Sequence, residues 1–556
     1  MANFSPSHVV VIGAGWAGWG ATKALCEAGV RVTLIDGIAD PTGRTPLTTK
    51  SGKPFEAGTR GFWKDYPNIN ALTKELKLGT IFTEFTPSAF WSPEGLEATA
   101  PVFGNAPTWP SPLGQMAATF SNFKRLPLED RLSIAGLFYT ILDLYRNEEV
   151  FKQYDQLSAI ELFQKLGISK RLIDDFLRPT LLVGLFKPPE ELSAAITMEL
   201  LYYYALAHQD SFDVRWINSG SIAEQLFAPL SEYLRANHDL HVLGGTRVTT
   251  LHFDAELQRI SAVDIKTLAK EPDTTSQSKR ISDVDAVVLA VGAKGMKAIM
   301  SESPTCQEAT PELVTAGSLD AIDVVSVRLW LDRYIPIPYP ANVFSRFPSL
   351  QGAGGTFFML DQLQTKEEQA LWGDNTPQGS VLACDFYNAA MIASLDDQAI
   401  IQLLMNQLLP IADRRFGKAE VLDHEVRRYP QCVSLFSPGS FEKRPPLETS
   451  VDSIVCAGDW VRMGDREHGA KGLCQERAYV CGLEAGNSLL RRGIVHGDAR
   501  RKSIDDLQHT VIPIRTDEPQ VVLGRALNKS VMEQLNRIGI ELPWFQRRPS
   551  TTTGTK

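Results

Sequence analysis

Val9-Val10-Val11-Ile12 runs directly into Gly13-Ala14-Gly15-Trp16-Ala17-Gly18. Four consecutive apolar residues, mostly β-branched, predict a strand buried on both faces. A helical stretch follows from Trp19 to Ala28 and stops at Gly29; a second strand, Val30 to Ile35, ends on Asp36. Strand, glycine turn, helix, strand and acid in that order predict a dinucleotide-binding βαβ unit. Gly13 permits the tight turn, Gly15 leaves room for a pyrophosphate, and Gly18 lets helix and strand pack closely. The turn through Ala14, Trp16 and Ala17 then offers the phosphates free N–H groups and a partial positive charge. Asp36 can accept both ribose hydroxyls. A glycine-rich turn without a ligand is the plain alternative, and the ordered context speaks against it.

The rest of the chain sets limits. With 556 residues, 44% of them hydrophobic, it is long for one core and suits two or three domains. A net charge of −9 with no Lys/Arg-dense tract argues against nucleic-acid binding. Seven scattered cysteines without a CxxC pair predict reduced thiols, with neither a disulfide framework nor a metal site. The N-terminus lacks a basic leader, so a bacterial-type or already mature chain is expected. The longest apolar runs, such as Ile134 to Leu142, are about half of the roughly 18 residues a membrane span needs.

Further motifs carry a resemblance. Gly43-Arg44 follows the acid, and then Phe55-Glu56-Ala57-Gly58-Thr59-Arg60-Gly61-Phe62. Far along the chain stand Ser453-Ile454-Val455-Cys456-Ala457-Gly458-Asp459 and Glu467-His468-Gly469-Ala470-Lys471-Gly472. This pattern resembles the FAD-dependent amine oxidase and carotenoid desaturase superfamily. The resemblance implies FAD, held without a covalent bond. It puts Arg44 behind flavin and phosphates, Gly58-Thr59 against the isoalloxazine ring, and Gly458-Asp459 at the ribityl chain or pyrophosphate. It also makes Gly469-Ala470 the start of a helix, running through Leu490, that faces the pyrimidine. Val242 to Val248 is strand-like, and in the family a valine such as Val248 packs near the adenine. Asp285 to Gly292 reads as a buried strand ending in a glycine turn, and Lys270 to Arg280 as an exposed hairpin loop. This chain carries Asp36 where the family usually has Glu, and Thr42-Gly43-Arg44 in place of a fuller Gly-Gly-Arg.

The implied fold class is α/β: a doubly wound FAD-binding domain assembled from segments 1–100, 215–295 and 450–495, plus a mixed-sheet and helical substrate domain. Residues 101–214 form its helical, membrane-contacting part and 296–449 its sheet-bearing part, with 496–556 as a C-terminal extension. The stretches Leu157 to Leu162, Phe176 to Thr180, Phe186 to Ala194 and Arg215 to Ser221 look like plant- and cyanobacterial-type phytoene and ζ-carotene desaturases. Residues 196–207 are apolar and aromatic nearly all round, which suits either a lipid tunnel or plain core. Residues 120–145 place Lys124, Arg125 and Arg131 beside Phe120, Phe123, Leu126, Leu137 and Phe138, as in a membrane-surface segment or a core helix with a solvated edge. Val521 to Ile538 reads as an amphipathic helix, for a membrane, a partner or the protein's own body.

No nucleophile-and-base pattern stands out, as expected if a flavin does the difficult chemistry. The resemblance implies hydride transfer from a carotenoid or other isoprenoid to flavin N5, with Arg60, His468 and Lys471 as catalytic candidates in an apolar cavity offering no partner to a buried charge. Quinone or oxygen would reoxidise the flavin, at a thylakoid-type membrane facing cytoplasm or plastid stroma. The alternatives are a flavin-dependent carotene cis–trans isomerase, an amine or amino-acid oxidase, and a flavin-free prenyl-lipid carrier of the Rab-escort type. Retention of Gly13, Gly15, Gly18, Arg44 and Asp459 disfavours the carrier.

Overall fold

A computed structural model describes residues 7–104, 106–123, 125–268, 277–373, 375–497, 507–540 and 542–545. The strand His8–Ile12 is buried throughout. It lies at the centre of a five-stranded parallel sheet whose order along the sheet is Ile454–Cys456, Ala286–Leu289, His8–Ile12, Arg31–Ile35, Leu240–Leu243. The sheet therefore draws strands from the start, middle and end of the chain. All five are short and rich in Val, Ile and Leu, and the four besides the edge strand Leu240–Leu243 are buried along nearly their whole length, as strands covered on both faces must be.

The opening helix, Trp16–Glu27, and the closing helix, Gln475–Arg491, lie against each other. Their contact is made by glycine. A Cβ on Gly482 would collide with the carbonyl oxygen of Ala17, one on Gly20 with that of Tyr479, and one on Gly486 would press on Ala24. Trp16 fixes the angle between them, its Nε1 donating to Gln475 Oε1 at 2.9 Å and its ring packing edge-on against Tyr479 and Phe62.

A seven-stranded mixed sheet forms the second core, in the order Val421–Ser434, Ala321–Leu331, Val381–Tyr387, Gly354–Met359, Ala341–Phe344, Ser88–Ser92, Gly95–Ala100. The hairpin at 88–100 thus belongs to this sheet and not to the nucleotide-binding one. The expected middle strand divides at Gly244-Gly245 into Leu240–Leu243 and Thr246–Asp254. The flanks of the expected hairpin loop pair antiparallel, Ser278 with Lys266, and residues 269–276 lie outside the described residues.

The helices over 101–214 are more broken than their periodicity predicts. The stretch 128–145 divides into Leu128–Leu132 and Ala135–Asp143. π-helical turns interrupt others at Ile173–Leu177, Tyr202–Leu206, Ala223–Phe227 and Leu404–Leu408. Pro179, Pro229 and Pro410 each stand two residues beyond one of these turns. A proline ring clashes with the carbonyl four residues earlier and cannot donate to it, so the preceding turn widens. No described helix is long and apolar enough to cross a membrane.

Replacing Gly482 by Val should therefore destabilise the protein by about 1–3 kcal/mol, the usual cost of overpacking a tight core contact. Equilibrium urea unfolding checks this; an unchanged midpoint would mean the helices can part without cost.

Candidate active site

The glycines of the first turn divide their labour. A Cβ on Gly18 would strike the carbonyl oxygen of Gly13, and one on Gly13 that of Ala290, while one on Gly15 would meet nothing within 4 Å. Gly13 also has φ +103°, which L side chains avoid. Gly15 is the N-cap of the opening helix, and no side chain caps it. Gly15 thus faces open space at a bare helix N-terminus, the arrangement that accepts a phosphate.

Gly13, Asp36 and Val248 line one cavity of about 370 Å³, together with Val291–Gly295 and Gln431–Ser434. Asp36 Oδ2 accepts from Ala14 N and its Oδ1 from Ile38 N, each at 2.7 Å. These bonds fix the carboxylate at the mouth of the turn. Ala17 packs beneath the turn against Gly482.

The closing strand brings Gly458-Asp459 to the same edge. Trp460 Nε1 donates to Val291 O at 3.0 Å, and Gly458 turns with φ +149°. Burial pushes the Asp459 carboxyl up to about 6, against the pull of Arg477 and Arg444. Arg477 is wholly buried and ties the loop to the closing helix: it donates to the carbonyls of Asp459 (2.9 Å), Val461 (2.6 Å) and His468 (3.1 Å) and pairs with Glu467.

The Gly58-Thr59-Arg60 turn leans on the seven-stranded sheet. Asp385 accepts from Thr59 N at 3.1 Å and from Ser326 Oγ at 2.7 Å. Glu56 accepts from Ile222 N at 3.0 Å and lies 3.9 Å from Arg60. Burial raises both carboxyls above their ordinary range. Gly58 has φ +74°, and a Cβ there would meet nothing within 4 Å.

Four expectations need correction. Gly469-Ala470 does not open the closing helix. That helix begins at Gln475, capped by Cys474, whose Sγ accepts from Arg477 N; Gly469 instead turns with φ +65° and packs beside Cys474 and Arg477. Arg44 points outward and pairs with Glu232 at 3.0 Å, both side chains more than half exposed, while Gly43 packs on Ala223. Arg60, His468 and Lys471 do not converge. Arg60 lines a cavity of about 250 Å³ beside Gly58; His468 and Lys471 line a separate one of about 220 Å³ against the C-terminal extension. There Lys471 pairs with Glu199 at 2.7 Å and lies over the Phe151 ring, and His468 is buried 3.2 Å from Glu476. Finally, the cavity beside Gly58 is not uniformly apolar: Glu56, Arg60, Arg328 and Gln364 share it with Phe55, Trp216, Ile217 and Leu360.

The model of one family, flavin-containing amine oxidoreductase, matches residues 17–470. The chain belongs to that family. It is 24% identical over 465 residues to the chloroplastic/chromoplastic 15-cis-phytoene desaturase of Glycine max, covering 82% of this chain and 76% of the relative. It is 27% identical over 516 residues to a carotenoid phi-ring synthase of Streptomyces griseus, covering 88% and 89%. Its fold is that of cyclohexylamine oxidase from Brevibacterium oxydans (TM-score 0.59, 14% identity, 87% of this chain and 100% of the other) and of a putrescine oxidase (0.59, 15%, 87% and 99%). The protein is an FAD-dependent oxidoreductase. The open faces of Gly15 and Gly58, the bare helix N-terminus and the placed Asp36 carboxylate all fit that cofactor.

Two outcomes follow from this geometry. Gly15→Val fills the one open glycine of the turn and should yield folded, colourless protein; an unaltered flavin content by absorbance would mean the pyrophosphate lies elsewhere. Asp459 has a folded-state pKa above its unfolded value, so the folded state binds the extra proton and loses stability as pH rises from about 4 to 6. In flavin-free protein, Asp459→Asn should remove that loss. The variant should gain on the native protein across this range in urea midpoints, and a constant difference would show that Asp459 titrates normally.

Proposed function

We propose that this oxidoreductase acts on a long isoprenoid of the carotenoid class, removing hydrogen from it. The observation that carries this is similarity along most of the chain to two kinds of carotenoid-named relatives. The apolar helix Ala194–Leu201 and the turn Tyr202–Leu206 support it, being buried over Ala194–Tyr204. Bound FAD supplies the hydride acceptor at N5. The chain's own part is to grip the cofactor from both ends of the sequence, to press the substrate domain onto the Gly58 turn through Asp385, and to exclude water. Of the three candidate catalytic residues, Arg60 is the one beside Gly58. Glu56, 3.9 Å from Arg60, is the carboxyl proposed to take the departing proton.

A second reading, amine oxidation, draws on the buried carboxylates Glu56 and Asp385, which would suit an ammonium. Both already accept backbone N–H groups and face Arg60 and Arg328, so neither is a free counter-ion.

We also propose that the protein works at a membrane surface. Arg131 is turned inward, donating to Leu126 O at 2.7 Å, while Arg125 stays exposed and pairs with Glu97 at 3.6 Å; Phe123, Leu126, Leu137 and Phe138 pack on the core. Lys124 lies outside the described residues. Exposed apolar surface stands instead on Leu128 and Leu132 and on the C-terminal helix Pro519–Arg537, where Leu523, Leu527 and Val531 form a stripe, each more than half exposed. The adjoining face of that helix packs on the body, through Gly524 at Leu142 and Asn528 donating to Asp143 at 2.8 Å.

Anaerobic mixing of the oxidised protein with carotenoid hydrocarbons in liposomes should bleach the visible flavin band, whereas amines should not. Bleaching by amines alone would overturn the proposal, and conversion of a cis-carotene only after pre-reduction would point to isomerisation. In co-sedimentation, Leu523→Asp with Leu527→Asp should cut liposome binding at least about tenfold, since burying each leucine is worth about 1.5–3 kcal/mol. Undiminished binding would assign the stripe to something other than lipid.

A further inference from the structure

Arg328 is a charge inside the apolar run Val324-Val325-Ser326-Val327-Arg328-Leu329-Trp330-Leu331. Its strand, Ala321–Leu331, runs inside the seven-stranded sheet between Val381–Tyr387 and Val421–Ser434. The residue is 6% exposed, yet its Nε has no acceptor among the described residues. Its Nη2 reaches Glu56 O only at 3.4 Å. A buried donor left unpaired costs about 1–3 kcal/mol, and a leucine would continue the strand without that cost. The neighbouring carboxyls offset the Arg328 charge in part but leave its Nε without an acceptor: Glu56 accepts from Ile222 N, and Asp385 from Thr59 N and Ser326 Oγ.

Arg328 lines the cavity of about 250 Å³ beside Gly58. None of residues 13–18 or 458–477 lines that cavity, whereas Thr59 does, so it lies on the Gly58 side of the cofactor cradle, away from the pyrophosphate turn. Its size falls below the range of about 300–1,000 Å³ typical for a whole drug-sized ligand. It suits one ring-sized end of a long molecule. Trp216, Ile217 and Leu360 supply apolar wall, while Arg328 and Gln364 supply polar groups. Glu56 and Glu224 on the same wall balance Arg60 and Arg328, so the cavity carries no surplus charge for an ionised ligand and the matching group is a neutral oxygen.

We propose that this cavity receives the end group of the substrate and that Arg328 donates a hydrogen bond to a keto or hydroxyl oxygen on it, selecting oxygenated isoprenoids over plain hydrocarbons. The proposal rests on the isoprenoid reading above and names the substrate class within it.

The test titrates FAD-loaded protein in detergent micelles with β-carotene and, separately, with its diketo derivative canthaxanthin. Bound carotenoid is measured after gel filtration, and the flavin spectrum is recorded alongside. The native protein should bind the diketone at least tenfold more tightly than the hydrocarbon, a result that needs no variant to fold. Arg328→Met should bring the two affinities within about twofold, and Arg328→Lys should fall between. Equal affinities in the native protein, or an undiminished preference in Arg328→Met, would overturn the proposal. So would a changed flavin spectrum or flavin affinity in Arg328→Met without carotenoid, which would assign Arg328 to the cofactor. Equal binding of both carotenoids sinks the end-group selection alone; binding of neither sinks the isoprenoid reading with it.

Discussion

The close approach of two helices from opposite ends of the chain is the constraint on which the rest depends. Gly482 meets the backbone of Ala17, and Gly20 that of Tyr479. At this separation the closing strand Ile454–Cys456 pairs with Ala286–Leu289, itself beside His8–Ile12. That register brings the Gly458-Asp459 turn to the same sheet edge as Gly13 and Asp36. Larger side chains at the contact would part the helices and split the cofactor cradle, although no residue touching the pyrophosphate had changed. Trp16 and Arg477 complete the link, one joining helix to helix and the other helix to loop.

The nucleotide-binding half was legible in the sequence because its signals are local. A βαβ unit is written within about thirty residues, and each glycine of the turn answers a steric need that the structure bears out: Gly13 and Gly18 are blocked by backbone, and Gly15 is open. The neighbourhood of Asp36 and Val248 likewise follows from strand order. The start of the closing helix was not legible. Gly469-Ala470 resembles a helix opening, but the N-cap is Cys474, a residue type not read as one. Arg44 fails for a related reason: Gly43 fixes the backbone against Ala223, and backbone position does not decide which way a long side chain turns.

The charged groups around Gly58 were missed because they arrive from distant strands. Glu56, Arg328 and Asp385 meet only once the sheets are placed, yet Arg328 and Asp385 each left a mark: a charge where the surrounding run is apolar. Such residues in a buried strand need partners, and here the partners are the backbone of the Gly58 turn and one another. The expected catalytic trio dissolved for the converse reason. His468 and Lys471 stand near Gly469 in sequence, but the five residues from Ala470 to Cys474 precede the helix, and Lys471 turns to Glu199 and the aromatic rings of the helical region. The C-terminal extension covers that side, its Trp544 donating to Tyr154 Oη at 2.9 Å.

The central claim is that one FAD is held at once by segments from the start, middle and end of the chain. Hydrogen–deuterium exchange on flavin-free protein, with and without added FAD, tests it most directly. Protection should rise together in residues 13–18, 246–248 and 456–461, with no change over 520–537. Protection confined to the first segment, or its absence from all three, would contradict the account.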